Sequence, residues 1–238
     1  MILLALDTCD ARGSVALLRG AQVLELLAHE SAEEYSSWLP RAVEQVLKGP
    51  GQSMETVKAY AVASGPGSFT GLRVGLTTVK AWSEVFARPI AAVSRLEAFA
   101  SQAEEGAKVV AAFVDAHREQ VFGALYVRKD GRLERVEDEI VMAPGRFVGW
   151  VGERSGTERV AWVSPDPEQI TFQEAWRERE KAGEKVEKVS AVFAPMIGKI
   201  GYQKLLENRT ADALTLDANY VRRSDAEVLW KGSSGHGR

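Results

Sequence analysis

The sequence has little cysteine and no long apolar run. Its single cysteine, Cys9, cannot form an internal disulfide, which fits a reducing compartment. We expect Cys9 to lie in the first strand as a small buried apolar residue rather than a reactive thiol. The N-terminus, M-I-L-L-A-L-D, has no basic segment, and no apolar stretch approaches the roughly 20 residues that a membrane span needs. These absences predict a cytoplasmic protein without membrane association.

Positive charge is not in excess either. The chain carries 30 Lys and Arg against 33 Asp and Glu, so its formal net charge is −3. Nucleic-acid-binding domains usually present a basic surface, and the composition therefore argues against autonomous binding to nucleic acid. With 45% hydrophobic residues and 238 residues in all, the chain can form one large globular domain or two small ones.

Residue patterns that hold metals are missing. The three histidines, His29, His117 and His236, include no pair at the i, i+4 spacing that places two ligands on one helix face, and there is no C-x-x-C. The best acidic candidates are Asp7 and Asp115, because each follows an apolar run and could face a cleft at the end of a strand. We predict no metal site, no required cofactor and no catalytic residue.

The loops that follow these two aspartates argue against phosphate binding. They read D-T-C-D-A-R-G-S and D-A-H-R-E-Q, with one glycine and none. Bulky side chains therefore stand where glycine-rich backbone would have to cradle phosphates. The loops do not favour nucleotide hydrolysis by this chain alone.

Apolar patterning divides the chain into two units and a tail. The first unit, residues 1–103, is predicted to have the order β-β-β-α-β-α-β-α, with strands at 2–6, 13–19, 22–28, 59–63 and 89–93 and helices at 33–48, 69–86 and 95–103. The second unit, residues 104–223, should contain strands at 109–114, 121–127 and 189–194, a solvated charged segment at 181–188 and a helix at 196–207. Residues 224–238 form a tail whose small, polar end we expect to be disordered. The order predicts an α/β fold with mixed sheets and flanking helices.

The segment S-G-P-G-S-F-T-G-L-R-V-G, residues 64–75, lies between an apolar strand and a long helix. Glycines that lead into a helix N-terminus can hold an anion or allow close backbone packing. The segment matches neither a P-loop nor a dinucleotide fingerprint nor a G-x-S-x-G elbow. We interpret Gly65, Gly67, Ser68 and Gly71 as a structural turn, with Ser68 as the helix N-cap, and keep an anion site as the alternative.

The helices at 33–48 and 69–86 carry apolar residues on more than one face. Such helices are either buried in a large core or packed on a sheet with one face and on a partner protein with the other. The pattern alone leaves both interpretations open.

Several segments together resemble the TsaB (YeaZ) family, which has been grouped with the M22 glycoproteases. They are I-L-L-A-L-D-T near the start, V-A-S-G-P-G-S-F-T-G-L-R-V-G, A-R-P-I-A-A-V-S-R-L-E-A, D-A-H-R-E-Q-V-F-G-A-L-Y and N-Y-V-R-R-S-D-A-E-V-L-W-K. The resemblance covers nearly the whole chain. It implies a two-lobed fold of the actin-like ATPase, or ribonuclease H-like, type.

The resemblance also implies a role in making threonylcarbamoyladenosine at position 37 of tRNA. In that family the chain is a non-catalytic scaffold, and its paralogue TsaD transfers the threonylcarbamoyl group. The partners implied are TsaD in a heterodimer, the ATPase TsaE in a ternary complex and a second copy of the chain when it is alone. Contact with tRNA would be indirect, and ATP or ADP would bind weakly or at an interface. The alternative is a stand-alone ATPase or metallopeptidase of the same fold.

By position, the resemblance implies that the two amphipathic helices form the partner interface. Relatives often have His-Ser near the start of the first helix, where this chain has Tyr35-Ser36. The residues implied are Tyr35, Trp38, Leu39, Ala42, Val46, Phe69, Leu72, Arg73, Leu76 and Val79.

Overall fold

A computed structural model describes residues 1–30, 32–219 and 221, and the predictions for the tail from 224 onward lie outside them. The first lobe follows the predicted order. Its elements are β1 (Ile2–Asp7), β2 (Ser14–Arg19), β3 (Gln22–Ala28), α1 (Tyr35–Lys48), β4 (Ala59–Ala63), α2 (Phe69–Phe86), β5 (Ile90–Val93) and α3 (Arg95–Ala100), with a short 3-10 helix at Met54–Thr56. Of the described helices, none combines the length and apolar character that crossing a membrane requires.

The first sheet is mixed, in the order β3-β2-β1-β4-β5. Strands β1, β2 and β3 form the predicted antiparallel meander, while β4 and β5 continue the sheet in parallel to β1. β1 is apolar at nearly every position because both faces of the sheet are covered.

The second lobe contains a sheet in the order β11-β10-β6-β7-β8, with β9 paired to β7. Its strands β6 and β7 confirm the predictions for residues 109–114 and 121–127, and its last helix confirms the helix predicted at 196–207. No element had been predicted between residues 132 and 180. The elements are β6 (Val109–Asp115), β7 (Val121–Lys129), β8 (Arg132–Arg135), β9 (Ile140–Met142), α4 (Pro144–Ser155), β10 (Val160–Ser164), α5 (Glu168–Thr171), α6 (Trp176–Lys181), β11 (Val186–Lys188) and α7 (Ala194–Leu206).

Two predictions for this lobe are wrong. Residues 189–193 form no strand, and α7 begins at Ala194, where Pro195 near the helix start suits its missing N–H. The segment at 181–188 is not only solvated surface, because it contains β11 and the buried Glu184. The Glu184 carboxylate accepts a hydrogen bond of 2.7 Å from the Trp162 indole N–H, which draws the acidic side chain inward.

Helix α7 lies within residues 104–223, which were predicted to form the second lobe, but it packs on the sheet of the first lobe. A Cβ placed on Gly201 would lie 2.5 Å from the Cβ of Ala61, which shows how closely the α7 backbone approaches β4. Tyr60, the preceding residue of β4, faces the other way and packs against Trp82 of α2. Because side chains alternate along a strand, α7 and α2 cover opposite faces of the first sheet.

We predict that Gly201→Ala destabilises the protein by about 1–3 kcal/mol, because the added methyl group overpacks the contact between α7 and β4. The control is Gly149→Ala in α4, where an added Cβ meets no atom within 4 Å. That change should instead stabilise the protein by about 0.5–1 kcal/mol, the usual difference between alanine and glycine in a helix. Urea unfolding of both variants tests the contrast, and equal stabilities would contradict it.

Candidate functional site

Arg95 lies at the centre of a buried charge network between the two lobes. It is the first residue of α3, directly after Ser94, whose hydroxyl caps the helix as predicted by accepting from the N–H groups of Leu96 and Glu97 at 3.0 and 3.3 Å. The Arg95 side chain is 1% exposed. Its Nε lies 3.2 Å from Asp7 Oδ2 and its Nη2 lies 2.7 Å from Asp10 Oδ2. One guanidinium thus forms ion pairs with two carboxylates.

The ion pairs of this network shift the pKa values of Arg95 and Asp10. Burial alone would lower the pKa of Arg95, but Asp7 and Asp10 outweigh burial and raise it above its ordinary value. Burial would also raise the pKa of Asp10. The charge of Arg95, together with hydrogen bonds from Arg95 and Arg12, outweighs that effect and lowers the pKa of Asp10 to about 2.

Arg12 extends the network into the second lobe. Its guanidinium binds both carboxylate oxygens of Asp166, at 2.7 and 3.2 Å, and also lies 3.0 Å from Asp10 Oδ2. Asp166 Oδ2 in turn accepts from the N–H of Asp115 at 3.3 Å. The two aspartates singled out in the sequence, Asp7 and Asp115, therefore lie at the ends of their strands as expected. The Asp7 carboxylate is buried in the network, whereas Asp115 joins it through its backbone N–H and has a carboxylate that is 30% exposed.

The glycine turn packs against the loop that follows β1. Cβ atoms on Gly67 and Gly71 would lie 2.2 Å from the Cys9 carbonyl oxygen and 2.0 Å from the Thr8 carbonyl oxygen, while Gly65 has a φ of +111°. Ser68 is the N-cap of α2, as predicted, and its hydroxyl accepts from the Gly71 N–H at 3.4 Å. The glycines thus allow α2 to approach the chain's own first strand. Binding of an anion at this turn stays a prediction.

Most of the interface residues that the resemblance implied are buried in the protein's own core. They are Trp38, Leu39, Ala42, Val46, Leu72, Leu76 and Val79, each at most 8% exposed. Their side chains pack inside the protomer, and contact between these residues and a partner stays a prediction. The spacing of apolar residues in the sequence had identified one face of each helix, and that face packs on the sheet.

Three of the implied residues do reach the surface. Phe69 is 40% exposed, and the guanidinium carbon of the exposed Arg73 lies 3.8 Å from the centre of its ring. Tyr35 is half-buried; its hydroxyl donates to the Asp10 carbonyl oxygen and accepts from the Gly13 N–H at 2.8 Å. Tyr35 thereby fixes the start of α1 to the loop that carries Asp10 and Arg12.

Comparison with known proteins identifies the family. The model of the TsaD family, described as tRNA N6-adenosine threonylcarbamoyltransferase, matches residues 27–218. The tRNA threonylcarbamoyladenosine biosynthesis protein TsaB of Escherichia coli is 30% identical over 240 residues, which cover 97% of each chain. The chain belongs to the TsaB family. The protein of the same name from Bacillus subtilis is 34% identical over 143 residues, which cover 60% of this chain and 62% of that protein.

Solved structures confirm the predicted fold for this TsaB-family chain. A Pseudomonas aeruginosa protein described as similar to the peptidase YeaZ has a TM-score of 0.73 at 25% identity, over 93% of this chain and 99% of that chain. The ROK hexokinase of Thermus thermophilus has a TM-score of 0.53 at 13% identity, over 87% and 100% of the two chains. The second likeness shows the actin-like fold alone.

Sequence reasoning missed Asp10, Arg12, Arg95 and Asp166 in this TsaB-family chain. A charged residue next to the Ser94 cap gave no sign that it would turn inward, and the contact between Arg12 and Asp166 joins residues 154 positions apart. Cys9 lies two residues beyond β1 and is buried, and burial raises the pKa of its thiol, as expected for an inert cysteine. Within the described residues, no three His, Cys, Asp or Glu side chains are arranged to hold a metal ion.

We predict that Arg95→Met destabilises the protein by about 3–5 kcal/mol, because the buried Asp7 would lose its cation and Asp10 would keep only its ion pair with Arg12. The control is Arg41→Met, which removes a surface ion pair to Glu33 from a side chain that is 68% exposed. That change should cost about 0–1 kcal/mol. Denaturant unfolding measures both, and an equally small cost for Arg95→Met would show that the network does not stabilise the fold.

Because the pKa of Asp10 is low, we predict that the free energy of unfolding decreases at acidic pH. Its pKa falls from 3.8 in the unfolded chain to about 2 in the folded protein, so its ionised form stabilises the fold above about pH 4. This contribution should be lost as the pH falls from about 4 through about 2. Asp10→Asn should therefore show a flatter dependence of unfolding free energy on pH in that window. Asp138→Asn, which removes an exposed carboxylate, should keep the slope of the unmodified protein.

Proposed function

We propose that this protein is a non-catalytic subunit of the bacterial complex that makes threonylcarbamoyladenosine at position 37 of tRNA. In this proposal it binds the catalytic subunit TsaD through the exposed faces of α1 and α2, and TsaE joins the pair. Alone, it forms a homodimer through the same helices, and it reaches tRNA only through its partners in the cytoplasm. The names of the TsaB relatives and the match to the TsaD family model support a role in this pathway.

The observation that carries the non-catalytic part of the proposal is the charge network between the lobes. In actin-like ATPases, aspartates at the ends of the strands hold Mg²⁺ and water around the nucleotide. Here Asp7 and Asp10 are bound by the buried Arg95, and Asp166 is bound by Arg12. Mg²⁺ would have to displace a guanidinium from a buried carboxylate, which is costly. The charged groups at this position are therefore suited to holding the lobes together.

The surface of the two helices supports the proposed interface. Thr77 and Ala81 lie on the exposed face of α2, between Arg73 and Val85, and Val85 is 74% exposed. Beside this face, a groove of about 510 Å³ separates the end of α1 from α2 and is lined in part by Pro40, Val43, Leu47, Met54 and Trp82. Small exposed residues next to an apolar groove allow a partner helix to pack closely.

A reconstitution tests the function directly. TsaD, TsaE, threonylcarbamoyl-adenylate and tRNA are combined with and without this protein, and the modified nucleoside is measured by mass spectrometry. We expect modification to depend on the protein, and equal yields without it would overturn the proposal. Rapid ATP hydrolysis or peptide cleavage by the purified protein alone would instead favour the stand-alone enzyme of the same fold.

We predict that Thr77→Arg and Ala81→Arg weaken TsaD binding at least about tenfold, which corresponds to about 1.4 kcal/mol, because a large charged side chain prevents close packing of the exposed α2 face. Both positions are exposed and arginine is a good helix former, so the fold should be kept. Gln203→Arg on α7, on the opposite side of the first sheet, is the matched control. Calorimetric titration measures the affinities. Equal weakening by all three changes would contradict an interface on α2.

A further inference from the structure

A second cleft, on another side of the molecule, contains no residue of α1 or α2. It lies between the first lobe, the hairpin of β7 and β8, and the end of α7, and has a volume of about 580 Å³. That volume is within the range of sites for small molecules, about 300–1,000 Å³. Most of the side chains that line it are polar, in contrast to the groove beside α2.

The Tyr126 hydroxyl is the distinctive group of this cleft. Tyr126 lines the cleft, is 2% exposed, and its hydroxyl has no hydrogen-bond partner among the described residues. The neighbouring Ser94 hydroxyl already donates to Glu139 and accepts from two backbone N–H groups. Burial raises the pKa of Tyr126, so the hydroxyl keeps its proton. Buried hydroxyls are rarely left without a partner, which points to a group that enters the cleft.

Each charged group around Tyr126 already has an ion-pair partner, either in the cleft or just outside it. Three cations and three anions line the cleft, so they contribute no net charge. Glu139 is bound by Arg135, and Glu97 by Lys204, whose ammonium group also donates to the Ala92 carbonyl oxygen at 3.1 Å. A ligand that brings a net charge would find no unmatched partner here.

The side chains of the cleft retain both unused hydrogen-bond donors and an unused acceptor. Lys204 Nζ uses two of its three hydrogens on described residues, and the Tyr126 hydroxyl offers one more. Glu97 accepts from Lys204 through Oε2, while its Oε1 accepts from none of the described residues. A hydroxyl group donates once and accepts twice, so neighbouring hydroxyls on one ligand match this arrangement.

We propose that this cleft binds a neutral polyhydroxylated molecule, with ligand hydroxyls that accept from Tyr126 and Lys204 and donate to Glu97. A free sugar and the ribose of a nucleoside share this chemistry. The site is separate from the partner-binding role proposed above, and each can fail without the other.

Two tyrosine variants test the site. Tyr126→Phe removes only the hydroxyl, so we expect three- to tenfold weaker binding, roughly the value of one neutral hydrogen bond, together with an unchanged or higher melting temperature without ligand. Tyr60→Phe is the matched control, because the Tyr60 hydroxyl is also buried without a partner but Tyr60 does not line the cleft. This control should bind like the unmodified protein.

The probes are D-ribose, D-glucose, adenosine and 2′-deoxyadenosine. Each is titrated to about 10 mM, so that dissociation constants in the millimolar range can be measured. Binding is measured by saturation-transfer NMR and calorimetry. Saturable binding that Tyr126→Phe weakens and Tyr60→Phe preserves would support the site, and preference for a sugar or for adenosine would identify the source. Lack of saturable binding by every probe would mean that the cleft holds water only and would overturn the proposal. Equal affinity in Tyr126→Phe, or a clear loss of stability without ligand, would also overturn it.

Discussion

The arrangement of the first lobe depends on the buried guanidinium of Arg95. This cation lies between the carboxylates of Asp7 and Asp10 and forms an ion pair with each of them. Arg95 also donates through its backbone N–H to the Gly65 carbonyl oxygen at 2.7 Å and through Nη1 to the Pro66 carbonyl oxygen at 3.3 Å. One residue thus joins the end of β1, the start of α3 and the glycine turn that leads into α2.

The loop from Asp7 to Gly13 connects the ion pairs of Arg95 to α1, to α2 and to the second lobe. Thr8 donates to the Gly71 carbonyl oxygen at 2.7 Å and fixes the start of α2, while the Asp10 carbonyl oxygen and the Gly13 N–H fix Tyr35 of α1. Arg12 binds Asp166 across the cleft. A position where related α/β folds bind ligands is here filled by ion pairs. The same network sets the relative position of the two helices that we propose as the partner surface.

Local patterns predicted the first lobe well. The bounds of β3, β4 and α2 agree with the prediction, because Gln22–Ala28, Ala59–Ala63 and the Ser68 cap carry their signals within a few neighbouring residues. Apolar spacing also identified the inner face of α1, but residues such as Leu39 fit a core and an interface equally well. Only the packed structure shows which of the two they contact. The pairing of Arg12 with Asp166 and the return of α7 depend on distant segments, which no local pattern encodes.

The position of α7 makes the first lobe discontinuous along the chain. Its sheet is complete in sequence by Val93, yet the face that carries Ala61 is covered by a helix that begins at Ala194. During synthesis, that apolar face stays uncovered until the strands of the second sheet have been synthesised. Residues 1–103 alone therefore lack the helix that covers this face of their sheet.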